Sequence, residues 1–240
     1  MSRINLVLSF ILLVPLGIHA QEKTWERRAE LSYVQTTGNS RSETASFKLD
    51  VNGKGEKNRV FMRLLYLLMR DEGQQKANKL SSGIRYERVF TGRLFGFVDT
   101  GYLRDRFAGF EHRLSAGPGI GYDMMTGEKQ MLKSLVSGMF VYEKYAVNGH
   151  NSSRFATLKL ALNYGWNIKE NVSFKTNGNY SVSLKDHEKY YINVESSLSV
   201  GINSRFSIGI SYLVNYQNLV PAPHIRSTDT SFLTSLIVNL

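Results

Sequence analysis

From Val172 to Tyr216 the even-numbered positions are almost all apolar and the odd-numbered ones almost all polar, through three successive segments. Val172, Phe174, Tyr180, Val182 and Leu184 alternate with Ser173, Lys175, Asn177, Asn179, Ser181 and Ser183, so one face of a strand carries hydrocarbon and the other hydrogen-bonding groups. The register recurs in Tyr190, Ile192, Val194, Leu198, Val200 and Ile202, and again in Phe206, Ile208, Ile210, Tyr212, Val214 and Tyr216. Short links around Lys185–Glu188 and Asn203–Arg205 predict plain antiparallel hairpins.

Carried along the chain, the alternation predicts strands near 25–37, 41–53, 58–71, 77–90, 93–106, 111–124, 130–144, 151–166, 171–184, 189–202, 205–217 and 227–240. That is about twelve strands, with ten as the alternative, and an even number is what a single-chain bacterial barrel requires. Leu64–Leu68 is apolar on both faces, which fits either a short helix or a strand whose inner face meets a plug; a strand is the preferred expectation.

A soluble sandwich also alternates, and the N-terminus narrows the choice. Arg3, an apolar stretch from Leu6 to Ile18 and the small-residue site Ile18-His19-Ala20 read as a signal peptide over residues 1–20. Residues 21–240 then form one domain, and the absence of Cys removes both a disulfide framework and a lipoprotein anchor. Hydrophobic residues make up 42% of the chain and the mean hydropathy is −0.25, which excludes a helical bundle in lipid. A barrel shows lipid only every second residue, so its average stays polar while its outer wall is apolar. The expected fold is therefore all-β, an antiparallel up-and-down transmembrane β-barrel in the bacterial outer membrane.

With the mature N-terminus in the periplasm, the links at Thr91-Gly92, Lys169–Asn171 and Asn203–Arg205 are periplasmic. The links at Asp71–Lys76, Val147–Ser153 and Asn218–Ser227 are then the longer, extracellular ones, the last held out of the ladder by Pro221 and Pro223.

The run Arg104-Asp105-Arg106-Phe107-Ala108-Gly109-Phe110, followed by Gly117-Pro118-Gly119-Ile120-Gly121-Tyr122, resembles a family of salt-induced outer-membrane proteins, a bacterial β-barrel domain of unknown function. Leu31-Ser32-Tyr33-Val34-Gln35-Thr36-Thr37-Gly38-Asn39 and Ser227-Thr228-Asp229-Thr230 support the resemblance, which covers most of the mature chain. It implies an outer-membrane location, a porin-like architecture and a link to salt or osmotic stress, and it brings no catalytic residues. One departure is the terminal Leu240, where barrel proteins commonly end in Phe.

Candidate chemistry is sparse. Gly117, Gly119 and Gly121 alternate within a strand instead of opening a helix, which argues against a phosphate loop. Their shared parity predicts three inward glycines that leave room for large side chains, such as arginines, from across the lumen. Arg104, Asp105, Arg106, Glu111 and Arg113 cluster around one hairpin and are the candidate lumen charge network, either a selective constriction or a mixed-sign brace. The mixed signs favour the brace.

Lys133, Lys159 and Lys175 have inward parity, and the formal net charge of +10 fits anionic headgroups better than nucleic acid, because no basic run exists. His112, His150, His187 and His224 fall on separate hairpins at the rim, without the spacing of a metal site. No catalytic, metal or cofactor site is predicted. Outer-membrane lipids with lipopolysaccharide and the barrel-assembly machinery are the expected partners, and no solute is named. The sequence thus points to a non-enzymatic barrel, a narrow pore or a structural envelope protein; the alternatives are a rim enzyme acting on lipid or peptide, and a barrel plugged by its own side chains.

Overall fold

The computed structural model describes residues 24–36, 42–146, 152–223 and 225–240. The expected signal peptide, Thr37–Asn39 of the family-like segment, most of the 147–153 link, His150 and His224 lie outside them.

Twelve strands follow one another in the chain: β1 (Thr24–Thr36), β2 (Ser42–Lys54), β3 (Asn58–Asp71), β4 (Gln74–Val89), β5 (Leu94–Asp105), β6 (Phe110–Thr126), β7 (Gln130–Tyr145), β8 (Ser153–Lys169), β9 (Val172–Ser183), β10 (Tyr190–Gly201), β11 (Phe206–Gln217) and β12 (Thr228–Asn239). Each pairs antiparallel with its neighbours in sequence, and β1 closes on β12. Closure gives every strand a partner on each side, β1 and β12 over four residue pairs, so the backbone is satisfied within the wall except along the rest of that seam, the condition for sheet structure in hydrocarbon.

The pairing carries the parity around the barrel. Leu31 faces Phe47, Phe47 faces Tyr66, and Tyr66 faces Leu80, all on the outer wall. From β3 to β11 the even-numbered residues point out, except Phe110, which a bulge in β6 turns inward; Ile120, Phe140 and Leu162 are more than half exposed, which in water would cost heavily but in acyl chains costs nothing. Aromatic rings collect toward the two ends of this wall. Tyr180, Tyr190 and Tyr216 stand in a row with centroids 5.7 and 5.8 Å apart near one end, and Tyr86, Tyr122 and Trp166 lie toward the other.

Leu64–Leu68 is strand, and its doubly apolar character has a cause inside the barrel. Leu65 and Leu67 point inward and are buried against Leu213 of β11 and Leu233 of β12. The link at Asp71–Lys76 is shorter than expected. Strand β4 starts at Gln74, and only Glu72 and Gly73 turn the chain, with φ of 49° and 78°, the two left-handed residues of a type I′ hairpin. The longer connections at this end remain those after β7 and β11. The opposite end, which also carries both chain ends of the barrel, has only short links, the geometry of a periplasmic face.

Candidate functional site

With the outer wall apolar, the polar chemistry converges on the lumen, where odd-numbered side chains of β3–β12 and even-numbered ones of β1 and β2 meet. Near the periplasmic end, Arg59 on β3 reaches Asp123 on β6 at 3.0 Å, and Lys133 on β7 reaches Glu87 on β4 at 3.0 Å. Glu87 is fully buried and is also approached by Arg59 and Arg85. The Arg59–Asp123 and Lys133–Glu87 pairs each reach three strands along the wall.

The expected room beside the glycines exists, but a different group takes it. A Cβ on Gly119 or Gly121 would run into the rings of Phe97 and Phe95, which reach over the bare backbone of β6 from neighbouring β5. Arginines stack on top of these rings rather than entering the gap. The Arg85 guanidinium sits 4.7 Å from the Phe97 centroid and that of Arg59 5.7 Å from the Phe95 centroid. Gly117 is bare for another reason: a Cβ there would collide with the β7 backbone at Gly138 and Met139.

At mid-height the bonds become longer in reach. Arg85 holds Asp99 through two bonds of 2.7 Å, and Lys159 of β8 approaches the same carboxylate at 3.7 Å. Glu195 on β10 accepts from Lys48 of β2 at 2.5 Å and from Arg63 of β3 at 2.9 Å, nearly a full diameter away. Arg63 also holds Asp50 at 2.7 Å, so two acids and two bases form a bar across the lumen. Lys79 of β4 repeats the crossing above it, donating to Asn215 of β11 at 3.2 Å.

Toward the extracellular end, fully buried Glu143 gathers Lys189 at 2.6 Å, Tyr191 at 2.9 Å, Tyr145 at 2.8 Å and Arg113 at 3.1 Å. The link after β11 then folds inward. Ala222 and Ile225 are buried, and Pro221 and Ile225 press on Gly109 in the β5–β6 turn, directly opposite in the barrel order. Gln217 ties the same contact, donating to the Ala108 carbonyl at 3.1 Å.

The five residues of the expected charge cluster do not form one network. Asp105 and Arg113 face the lumen but have separate partners, Lys79 at 3.9 Å and Glu143 at 3.1 Å. Arg104 lies on the outer wall, with Asn78 at 3.5 Å, while Arg106 at the turn approaches Glu111 at 3.7 Å. Their even parity already carried the signal that Arg104 and Arg106 do not face inward. What sequence reasoning missed is Glu30, Lys48, Asp50, Arg63 and Glu195, whose inward parity was legible but whose meeting depends on barrel closure. Of the inward lysines, Lys133 and Lys159 are paired as above, and Lys175 has no carboxylate within ion-pair distance among the described residues. His112 is on the outer wall, bonded to Tyr102 at 2.9 Å, and no cluster of potential metal ligands occurs among the described residues.

A closed, twelve-stranded antiparallel barrel with an apolar exterior and a polar, cross-braced interior defines an outer-membrane β-barrel protein. Residues 29–240 match the model of a family described as protein of unknown function, DUF481, and the chain belongs to that family. Two solved structures share the fold. One is described as the NanC porin, with a TM-score of 0.51 at 9% identity over 90% of this chain and 98% of that one. The other is the COG4313 outer membrane channel from Pseudomonas putida F1, with a TM-score of 0.52 at 7% identity over 95% and 98%. No curated protein matches the chain in sequence.

Proposed function

We propose that this barrel is a narrow channel for small ions and polar solutes, closed at rest by its own side chains, and that it carries out no covalent chemistry. The observation that carries the proposal is the Lys48–Arg63–Glu195 bar, built of charges rather than hydrocarbon. A lumen needing only to be filled is stabilised at least as well by apolar side chains, because paired charges must first be stripped of water. Charges kept across the lumen suit a path that hydrates when the bar parts. The side chain of Arg63 is 43% exposed, so the bar weakens as ionic strength rises, in keeping with the link to salt or osmotic stress that the resemblance implies. The partners on this view are the surrounding outer-membrane lipids with lipopolysaccharide, and the barrel-assembly machinery that inserts the chain.

A purely structural, plugged barrel is the second reading, favoured by the Leu65–Leu67–Leu213–Leu233 contact and by the folded link over the mouth. Single-channel recording in planar bilayers separates the two. The channel predicts brief, small openings in the wild type and longer or larger ones in Glu195→Ala. No current from either protein at any salt concentration would establish the plug instead.

A further inference from the structure

A hollow lies on the outer wall, within the part that faces hydrocarbon. It has a volume of about 480 Å³ and is lined by Ile84, Thr100, Tyr102, Leu114, Ala116 and Phe140, among others. Its depth follows from the register. One row of outward residues runs Ile84, Thr100, Ala116, Phe140, Ala156 across β4–β8, and the row nearer the extracellular end runs Ser82, Tyr102, Leu114, Tyr142, Arg154. Thr100 and Ala116 form a low floor between the taller side chains around them.

Immediately above, the outer wall turns cationic. Arg104 follows Tyr102 on β5, His112 pairs in register with Lys144, and Arg154 stacks over Tyr142 at 5.5 Å. Lys144 is committed to Glu111 at 3.0 Å. Arg104 and Arg154 have no carboxylate partner among the described residues; their neighbours are Asn78 and the Tyr142 ring. Two guanidinium groups without a carboxylate partner thus flank the apolar hollow, Arg104 above it on β5 and Arg154 beside it on β8. An arginine fork suits phosphate, and the hollow is of a size that takes a small ligand or part of a larger one, about 300–1,000 Å³.

We infer that the β4–β8 wall holds one molecule of the phosphorylated, acylated glycolipid of the outer leaflet, the lipid A part of lipopolysaccharide. Its phosphates lie against Arg104 and Arg154, and one acyl chain lies over Thr100 and Ala116 in the hollow. The Tyr102–His112 pair, bonded at 2.9 Å, faces the sugar. The inference concerns the outer wall alone and stands whether or not the lumen conducts.

The test is native mass spectrometry of the barrel refolded with phosphatidylcholine and offered lipid A or phosphatidylglycerol. The wild type is expected to retain one lipid A. The double variant Arg104→Glu/Arg154→Glu should lower that retention by roughly tenfold or more, since each interfacial cation removed or reversed weakens anion binding severalfold. Ala116→Trp, which fills the hollow without touching a charge, should lower it too, and it serves if the double variant fails to fold. Arg88→Glu, on the outer wall at the periplasmic end beside Asn58, should leave retention unchanged. Unchanged retention in the double variant or in Ala116→Trp, or equal loss in Arg88→Glu, would overturn the site. Equal retention of phosphatidylglycerol with the same dependence on Arg104 and Arg154 would overturn lipid A as its occupant.

Discussion

Arg63 on β3 and Glu195 on β10 meet at 2.9 Å across the lumen, although they lie 132 positions apart in the chain. Neither residue has a neighbour in sequence that forecasts the other. Because Arg63 keeps Asp50 when Glu195 is removed, the two contributions are separable by a double-mutant cycle. Arg63→Ala, Glu195→Ala and the double variant should show a coupling of about 0.5–3 kcal/mol in urea unfolding from lipid vesicles. Additive effects would mean that the bar is absent from the folded barrel in membranes.

The glycines of β6 predict a sharp contrast between neighbours. Gly119→Ala forces a methyl into the Phe97 ring and the Val136 carbonyl, and should cost about 1–3 kcal/mol of folding stability. Gly138→Ala on β7 meets nothing within 4 Å and should be neutral or slightly stabilising. Equal effects would place the Phe97 ring elsewhere.

Strand β9 tests which face meets lipid. Tyr180 is on the outer wall, and Asn179 faces the lumen, where Asn193 donates to it at 3.1 Å. Tyr180→Arg should lose about 2–4 kcal/mol in vesicles if it lies near the bilayer midplane, less toward the interface, and more than Asn179→Arg in either case. The reverse order would turn the apolar wall inward.

Orientation is readable by thiol labelling, since the chain has no native Cys. A cysteine placed at Glu72, in the exposed β3–β4 turn, should react with an impermeant maleimide on intact cells. One at Gly127, in the exposed β6–β7 link, should react only after the outer membrane is permeabilised.

The alternation of hydrophobic and polar residues sufficed for the strands in the hydrocarbon zone, because burial in lipid punishes any departure from period two. It was weakest where that pressure ends. Asp71 to Lys76 is wholly polar, so the tips of β3 and β4, which stand in water, looked like loop although they pair down to a two-residue turn. The lumen was legible in the same unequal way. Parity told which side chains enter it, and the doubly apolar Leu64–Leu68 told that something apolar awaited Leu65 and Leu67. Partners were hidden, because a charge in the lumen chooses among residues brought near by closure, not by sequence. Grouping Arg104 to Arg113 by nearness in the chain therefore joined residues that the wall separates.

The closing seam should be the first part of the wall to open. Pairing between β1 and β12 runs only from Arg28–Asn239 to Leu31–Leu236, whereas β1 pairs with β2 from end to end. In hydrogen exchange from vesicles, amides of Ser32–Gln35 and Thr230–Ser235 should exchange ahead of those in β6 and β7. Uniform protection around the barrel would exclude a weak seam.

The rings of Phe95 and Phe97 lie on the backbone of the next strand, only about two dozen residues further along the chain. The contacts of Glu195 with Lys48 and Arg63 must wait for the circle to close, but this one is complete once a single hairpin has formed. Loop closure over so short a stretch is fast compared with the joining of β1 to β12. This segment of the interior is therefore expected to form before the barrel closes, as a template against which β4 and β7 align. The bare inner face of β6 thus sets an order of assembly as well as a shape.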